Sequence, residues 1–272
     1  MTDMRRCAIH TATTKPWDLE TAVRKYADSG VAGISVWKET LVGRDPGAAG
    51  RMIRAAGLSV VSLVRGGFFP AADPDLRAQR IKDNERLIAI AAELGAPLIV
   101  LVCGADPKVR IDEARRQVRA GIEAILPTAE SAGVRLAIEP LHPMYAGDRS
   151  VINTLKEAND LCEDLGSPEL GVAVDLYHLW WDPELEAQVA RAGRLGAIAA
   201  FHVCDWKTPV LDFLEDRGLM GEGCIDIPRI RGWVEDAGFR GFVEVEIFSK
   251  RFWAMDQDIY LRMILDAFRE HV

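Results

Sequence analysis

Asp175 and His178 stand where an apolar run of the chain ends, within the sequence GVAVDLYHLWWD. The run before them, residues 171–174, is typical of a strand buried on both faces in a parallel sheet. A carboxylate and an imidazole at the end of such a strand are costly to bury unless a ligand or a charged partner uses them. Asp182 and Pro183 have the form of a helix N-cap and a first-turn proline, so the polar pair is predicted to lie in a strand-to-helix loop.

Three further polar residues share this placement. Glu139, His202 and Glu246 each lie at or near the carboxyl end of a predicted strand. Neighbouring strands are about 4.8 Å apart, so these side chains and Asp175 can converge on one point. Three carboxylates and an imidazole in a dry site need a cation, and this donor set suits one divalent metal ion: Mn²⁺, Mg²⁺, Co²⁺ or Zn²⁺. Glu244 points the same way as Glu246 from deeper in the sheet, and we expect it to pair with an interior base, with metal binding as its alternative role.

Eight strand-and-helix units along the chain must position these residues. Short connections and the lack of a linker predict one domain, residues 1–272, that folds as a single (β/α)8 TIM barrel of the α/β class. An open doubly wound sheet is the alternative, but no GxGxxG follows the first strand. The predicted strands are 6–10, 33–37, 58–64, 98–103, 134–138, 171–174, 197–203 and 242–248, and the predicted helices are 17–28, 45–56, 73–94, 110–132, 154–165, 183–195, 226–237 and 255–270.

The composition disfavours several classes of partner. The chain has 272 residues, a net charge of -8 and a pI near 5.3, which disfavours nucleic acid or an anionic membrane surface as the main partner. We find neither a signal-peptide pattern nor an apolar run of about 18 residues, so we expect a cytoplasmic protein with no membrane segment. The 5 cysteines are scattered without a CxxC pair and are expected to be free thiols.

Five short motifs carry a resemblance to a known family. They are IEP at 138–140, VDLYH at 174–178, FHVCDW at 201–206, GEGCID at 221–226 and VEI at 245–247. With these motifs the chain resembles the xylose isomerase-like sugar phosphate isomerase/epimerase superfamily, from the first strand to the last. The resemblance implies a TIM barrel with one divalent metal, often Mn²⁺, held by Glu139, Asp175, His202 and Glu246. It also implies that the two glutamates move protons and that His178 binds substrate.

The chemistry of the residues supports the same assignment. Moving a proton next to a carbonyl requires a cation or its equivalent at the enediolate oxygens and a base at the carbon. Glu139 and Glu246 flank the predicted site and could serve as base and acid. We therefore expect a metal-dependent isomerase or epimerase acting on a small sugar or hydroxyketone. Three carboxylates with one dication leave a net charge of about -1, which suits a neutral sugar or polyol better than a polyanion.

Other residues near the predicted strand ends are candidates for substrate contact. His142, in EPLHP, could bind substrate or could hydrogen-bond its own loop. Arg65 and Lys207 could bind a hydroxyl, carboxylate or phosphate group, or could be solvated charges. Trp206 could supply an apolar wall for a sugar ring. Together with His178 these residues form the predicted substrate-binding set.

The sequence departs at two positions from the ketohexose 3-epimerases of this superfamily. Those enzymes carry a second glutamate and an arginine where this chain has Tyr145 and Thr208. We therefore expect the far end of the substrate to be held differently, while the metal set is kept.

Several alternatives stay open at the level of sequence. A dehydratase or lyase would use the same metal and glutamates on an inositol- or shikimate-type substrate, and a non-catalytic sugar-binding barrel is a more remote reading because all four ligands are present. An endonuclease IV-like barrel would need more metals and more than the 5 histidines found, and a retaining glycosidase would need paired carboxylates at strands four and seven. A homo-oligomer is also left open, with Phe68, Phe69, Phe252 and Trp253 predicted to be exposed as an interface or a lid.

Overall fold

Eight parallel strands close into a barrel at the centre of the protein, in a computed structural model that describes residues 4–272. The strands are β1 (Cys7–His10), β2 (Gly33–Trp37), β3 (Ser59–Gly67), β4 (Leu98–Val102), β5 (Arg135–Glu139), β6 (Leu170–Asp175), β7 (Ile198–Val203) and β8 (Val243–Val245). Each strand pairs with the next along the chain, and β8 pairs with β1 to close the ring. The predicted (β/α)8 TIM barrel is therefore confirmed.

Helices follow the strands and surround the barrel. They are α1 (Leu19–Asp28), α2 (Pro46–Ala55), α3 (Pro74–Leu94), α4 (Ile111–Ala132), α5 (Leu155–Leu165), α6 (Leu176–Leu179), α7 (Leu185–Arg194), α8 (Ile227–Asp236), α9 (Lys250–Trp253) and α10 (Gln257–His271). The carboxylates of Asp18, Asp45 and Asp73 accept backbone N–H groups at the start of α1, α2 and α3, and each such cap stabilises a helix by about 1 kcal/mol. Gly95 and Gly133 end α3 and α4 in the left-handed conformation. Within residues 4–272, no helix combines the length and the apolar character needed to cross a membrane.

The strands are apolar on both faces because both faces are covered. Every residue of β4 and of β6 is buried. Side chains that point inward fill the barrel, and those that point outward pack beneath the helices. Asp175, the last residue of β6, is where this apolar pattern ends. Most polar groups are thereby directed to the ends of the barrel, and the buried Ser35, Ser62 and Glu244 are exceptions inside it.

Most elements differ from their predicted bounds by one or two residues at an end, and three differences bear on the site. β3 continues to Gly67, because the backbone predicted to be its loop pairs with β4. The short α6 follows β6 directly, and the helix predicted over 183–195 begins only at Leu185. β8 ends at Val245, so Glu246 lies just beyond the strand rather than inside it.

The prediction of four exposed aromatic residues is wrong for two of them. Phe69 is 3% exposed and Phe252 is 0% exposed. Phe252 stacks on Tyr260 with ring centroids 4.6 Å apart. Phe68 and Trp253 are half-buried. Burying the apolar area of the Phe69 and Phe252 rings in the core is favourable, and it decides their position.

Gly121 in α4 gives a test of how closely this helix packs. A Cβ at Gly121 would lie 2.3 Å from Cδ1 of the buried Phe69, whereas a Cβ at Gly232 in α8 would meet nothing within 4 Å. We expect Gly121→Ala to lower the free energy of unfolding by about 1–3 kcal/mol through overpacking. Gly232→Ala is the matched control and should raise it by about 0.5–1 kcal/mol. Urea unfolding of both variants measures this, and equal stabilities would contradict the close contact.

Candidate functional site

Four polar side chains from neighbouring strands meet at the carboxyl end of the barrel. Glu139 and Asp175 are the last residues of β5 and β6, His202 lies near the end of β7, and Glu246 follows β8. All four are buried, and they offer ligand atoms that lie within 4.8 Å of one another. The structure thus brings together the residues predicted as a metal set, because parallel strands of a barrel end at the same rim.

The ionisable groups of this cluster shift one another's pKa values. Burial raises the pKa of Asp175 to about 7. Burial alone would lower the pKa of His202, but the carboxylates of Glu244 and Glu139 raise it to about 10. Burial also disfavours the ionised form of Glu246, yet neighbouring cationic groups outweigh it and hold the pKa of Glu246 well below its usual range. Carboxylates so close together and so dry require positive charge among them.

The donor set fits a divalent cation. His202 turns Nδ1 toward Oε1 of Glu139 at 3.0 Å. Its Nε2 has no hydrogen-bond partner among residues 4–272 and lies 3.7 Å from Oε2 of Glu244. A metal-binding histidine commonly directs its second ring nitrogen toward a carboxylate, and here Nε2 faces Glu244 without a hydrogen bond to it. Three carboxylates and one imidazole suit a hard or borderline divalent ion, so the cluster is a candidate divalent metal site.

Glu244 lies one layer deeper in the barrel and is 1% exposed. It accepts hydrogen bonds from Ser35 Oγ at 2.5 Å and from Ser62 Oγ at 3.2 Å. Its Oε2 is 3.3 Å from Nε2 of His10. Burial would raise the pKa of Glu244, but the charges of His202 and His10 lower it. The prediction that Glu244 pairs with an interior base is therefore confirmed.

Arg217 is the residue of the site that the sequence analysis missed. It lies in the long loop between β7 and α8 and is 3% exposed. Its Nη1 is 2.9 Å from Oε2 of Glu246 and 3.3 Å from Oδ2 of Asp175. The guanidinium also lies over the rings of Tyr177 and Phe248, with centroids at 4.4 Å and 4.9 Å. The available signal was a basic residue in a long loop at the carboxyl end of the barrel, where (β/α)8 enzymes place their sites.

A cavity of about 290 Å³ adjoins the cluster. Its walls include Glu139, Glu246 and Arg217 on the polar side and Trp37 and Phe248 on the apolar side. The volume equals roughly ten waters at about 30 Å³ each. A space of this size and character suits a small polar molecule with a carbon skeleton.

Two residues of the predicted substrate-binding set, His178 and Arg65, line this cavity. Nδ1 of His178 accepts the backbone N–H of His142 at 3.3 Å. Burial and the charge of Arg217 hold the pKa of His178 well below its usual value. His178 thus faces the cavity wall as a neutral imidazole.

The other three predicted contacts do not appear among the described cavity walls. Nδ1 of His142 accepts the backbone N–H of Met144 at 3.2 Å, which is the alternative role considered for it. The ring of His142 stacks on Trp206 with centroids 5.2 Å apart. Lys207 forms an ion pair with Asp216. These contacts hold the loops around the cavity together.

Comparisons with known proteins agree with this architecture. The sequence profile described as the xylose isomerase-like TIM barrel matches residues 23–269. The crystal structure of protein SMc04130 from Sinorhizobium meliloti 1021 is 46% identical, with a TM-score of 0.96 over 99% of each chain. A structure of the IOLI protein with a bound zinc atom is 18% identical, with a TM-score of 0.85 over 98% of this chain and 99% of that one, and this likeness shows the fold alone.

A curated relative provides a second line of comparison. Inosose isomerase of Halalkalibacterium halodurans is 23% identical over 204 residues, which are 74% of this chain and 70% of that protein. The isomerase class predicted from the sequence agrees with this relative. The profile match covers most of the chain, and its fold is the fold described above. The protein therefore belongs to the xylose isomerase-like TIM-barrel family.

Proposed function

We propose that the protein is a metal-dependent isomerase or epimerase acting on a small sugar or hydroxyketone. The observation that carries the proposal is the meeting of four ligand groups, two of which are glutamates that also line the cavity. Moving a proton at a carbon next to a carbonyl needs acid and base groups together with positive charge at the oxygens. The inosose isomerase activity named for a relative is consistent with this reaction class.

Glu139, Asp175, His202 and Glu246 would hold the ion, which we propose to be Mn²⁺, with Mg²⁺, Co²⁺ and Zn²⁺ as alternatives. When bound, the ion would supply positive charge beside the carbonyl and hydroxyl oxygens of the substrate. Glu244 would act on His202 through its charge and not through a hydrogen bond, since its Oε2 is 3.7 Å from Nε2.

Glu139 and Glu246 are the proposed acid and base. They come from the ends of β5 and β8, on either side of the two strands that carry the other ligands. A substrate between them would meet one carboxylate on each side, so one removes the proton and the same one or the other returns it. Burial is outweighed by the charges of His10 and Arg217, so Glu246 has a low pKa and is ionised near neutral pH. It therefore has the unprotonated form that a general base requires.

His178 and Arg217 are proposed to bind substrate oxygens. Both line the cavity, and Nη2 of Arg217 lies 3.3 Å from Nε2 of His178. The arginine of the ketohexose 3-epimerase pattern is Thr208 here, and Arg217 brings a guanidinium into the site from further along the same loop. Neutral imidazole and guanidinium donors are the groups that hold hydroxyl and carbonyl oxygens in a fixed orientation.

Deuterium exchange tests the proposed reaction. Metal-stripped protein is reconstituted with Mn²⁺ and incubated in heavy water with ketoses, aldoses, inosose and short hydroxyketones. We expect metal-dependent uptake of deuterium at a carbon next to a carbonyl, read by mass spectrometry. Loss of one water from a substrate would instead identify a dehydratase. Protein that binds no divalent ion would contradict the proposed site itself.

The protonation of the ligands predicts metal affinity that rises with pH. Asp175, with a pKa raised by burial to about 7, and His202, with a pKa of about 10, must both lose their protons to bind a metal. Between pH 6 and pH 9 we therefore expect the association constant to rise by about tenfold or more per pH unit. Calorimetry in two buffers of different ionisation enthalpy counts the protons released. An affinity independent of pH would contradict the assignment of these ligands.

A further inference from the structure

Two arginines face the cavity from elements that carry none of the four ligands. Arg65 lies in β3, and Arg149 lies in the connection between β5 and α5. Both are half-buried and line the same cavity as Glu139 and Glu246. The cavity therefore has positive groups on its wall in addition to the carboxylates of the ligand cluster.

The guanidinium of Arg65 has no ion-pair partner among the described residues. Within residues 4–272 it has no carboxylate within ion-pair distance, and its buried Nε has no hydrogen-bond acceptor. Its guanidinium instead lies 5.4 Å from the ring centroid of Trp37 and 5.0 Å from that of Phe68. Burial and the nearby charge of Arg149 lower the pKa of Arg65, while Glu39 opposes them. An arginine stays charged in such a place, so its wall position is costly unless an anion completes it.

Arg149 is also poorly paired. Its closest carboxylate is that of its chain neighbour Asp148, at 3.7 Å, and its Nε makes no hydrogen bond within the described chain. The guanidinium lies 5.6 Å from the ring centroid of Tyr145. Two guanidinium groups close enough to repel each other, each with free donors, form the kind of site that binds carboxylate or phosphate.

The acidic groups of the cavity do not neutralise these arginines. Glu246 contacts His10 and Arg217, and Glu139 contacts His202. Glu215 forms an ion pair with Lys250. Glu39 is exposed at the cavity edge and forms no ion pair in the part of the chain that the structure describes. The positive charge on the wall is therefore available to a ligand.

We propose that the substrate carries an anionic group, a carboxylate or a phosphate, which Arg65 and Arg149 bind while its hydroxyketone end faces the four-ligand cluster. This inference rests on the proposed function and narrows its substrate class, because the four-ligand cluster alone favours a neutral sugar. The cavity volume of about 290 Å³ suits a small acid or monophosphate.

Calorimetric binding of three matched compounds tests the anion site. D-Fructose, D-fructuronate and D-fructose 6-phosphate share one carbon chain and differ only in the group at the last carbon. We expect Mn²⁺-loaded protein to bind at least one of the two anions about tenfold or more tightly than fructose, as charge-assisted hydrogen bonds would give. The anion preferred distinguishes carboxylate from phosphate. Inorganic phosphate, titrated into metal-free protein, shows whether the arginines bind an anion when no metal is present.

Substitutions of the two arginines test whether they cause the preference for an anionic compound. Arg65→Met and Arg149→Met should each reduce it, and Arg65→Lys should retain part of it. Arg110→Met is the matched control, since the side chain of Arg110 is 88% exposed and lies outside the cavity walls. Thermal unfolding confirms that each variant is folded, and if one arginine variant does not fold, the other decides the test.

The outcomes separate this inference from the proposed reaction. Any of three results overturns the anion site. The first is equal affinity for the three compounds, and the second is no binding of any of them or of inorganic phosphate. The third is a preference for the anion that survives both methionine substitutions. Deuterium exchange on neutral compounds alone would leave the isomerase proposal standing while removing the anion site. Arginine-dependent anion binding without any deuterium exchange would support the anion site and leave the isomerase proposal without support.

Discussion

Glu246→Gln should lower turnover by about 10³-fold in the presence of saturating Mn²⁺, since general acid–base catalysis alone contributes 10²–10⁴-fold. Glutamine keeps the size of the side chain but cannot accept the proton. It also loses the negative charge that contacts His10 Nδ1 at 3.1 Å and Arg217 Nη1 at 2.9 Å. The measurement is the rate of deuterium uptake at the carbon next to the carbonyl, with metal content determined on the same sample.

The control for this variant is Glu186→Gln, which makes the same change of charge at an exposed residue of α7. Its exchange rate should match that of the unaltered protein. If Glu246→Gln binds metal and exchanges deuterium at the normal rate, Glu246 is not the base. If it loses both metal and exchange, the metal titration separates the contribution of the ligand from that of the base.

Arg217→Met should destabilise the metal-free protein by about 3 kcal/mol, because breaking a buried ion pair leaves its carboxylates uncompensated. Arg217 lies 2.9 Å from Glu246 and 3.3 Å from Asp175, and all three side chains are buried. A divalent ion held by the same carboxylates would supply the missing positive charge. The loss of stability should therefore be smaller with Mn²⁺ than with a chelator, as measured by urea unfolding in each condition.

The stability lost in Arg217→Met should also depend on pH, because of the ionisation of Asp175. Because burial raises the pKa of Asp175 to about 7 in the unaltered protein, this group is mostly neutral at pH 5 and mostly ionised at pH 8, and removing Arg217, which lowers this pKa, raises it further. The metal-free variant should lose less stability at pH 5, because Asp175 is neutral there with or without Arg217 and needs no cation. A loss that is the same at both pH values, with and without metal, would show that Arg217 acts through its packing on Tyr177 and Phe248 instead. Arg110→Met again controls for the loss of one positive charge.

The ligand set could be predicted from sequence because its pattern is local. A strand buried on both faces reads as an apolar run, and Glu139, Asp175 and His202 each interrupt or end such a run. Glu246 follows Glu244 by two residues, the period of a strand, so the placement of Glu244 one layer below the ligand Glu246 could also be predicted. The order of the strands in the barrel then follows from chain order, since each strand pairs with the next.

The loops could not be predicted in the same way. Arg217 reaches the cluster because the chain after β7 folds back over the barrel, and its backbone N–H bonds to the carbonyl of Phe248, far along the sequence. Lys207, in the same loop, pairs with Asp216 instead of lining the cavity. No periodicity marks which of two basic residues in a loop points inward.

By itself, then, the sequence determined the barrel and the four converging ligand residues, because strand burial and strand order are properties of short segments and their succession. Only the tertiary structure decided which cations face the cavity and which aromatic rings are buried. Arg65, Arg149 and Arg217 come to one cavity from separate loops and strand ends. Phe69 is covered by a helix that follows it by many residues. Such contacts depend on packing between distant segments, whose free energy is not encoded in any one stretch of the chain.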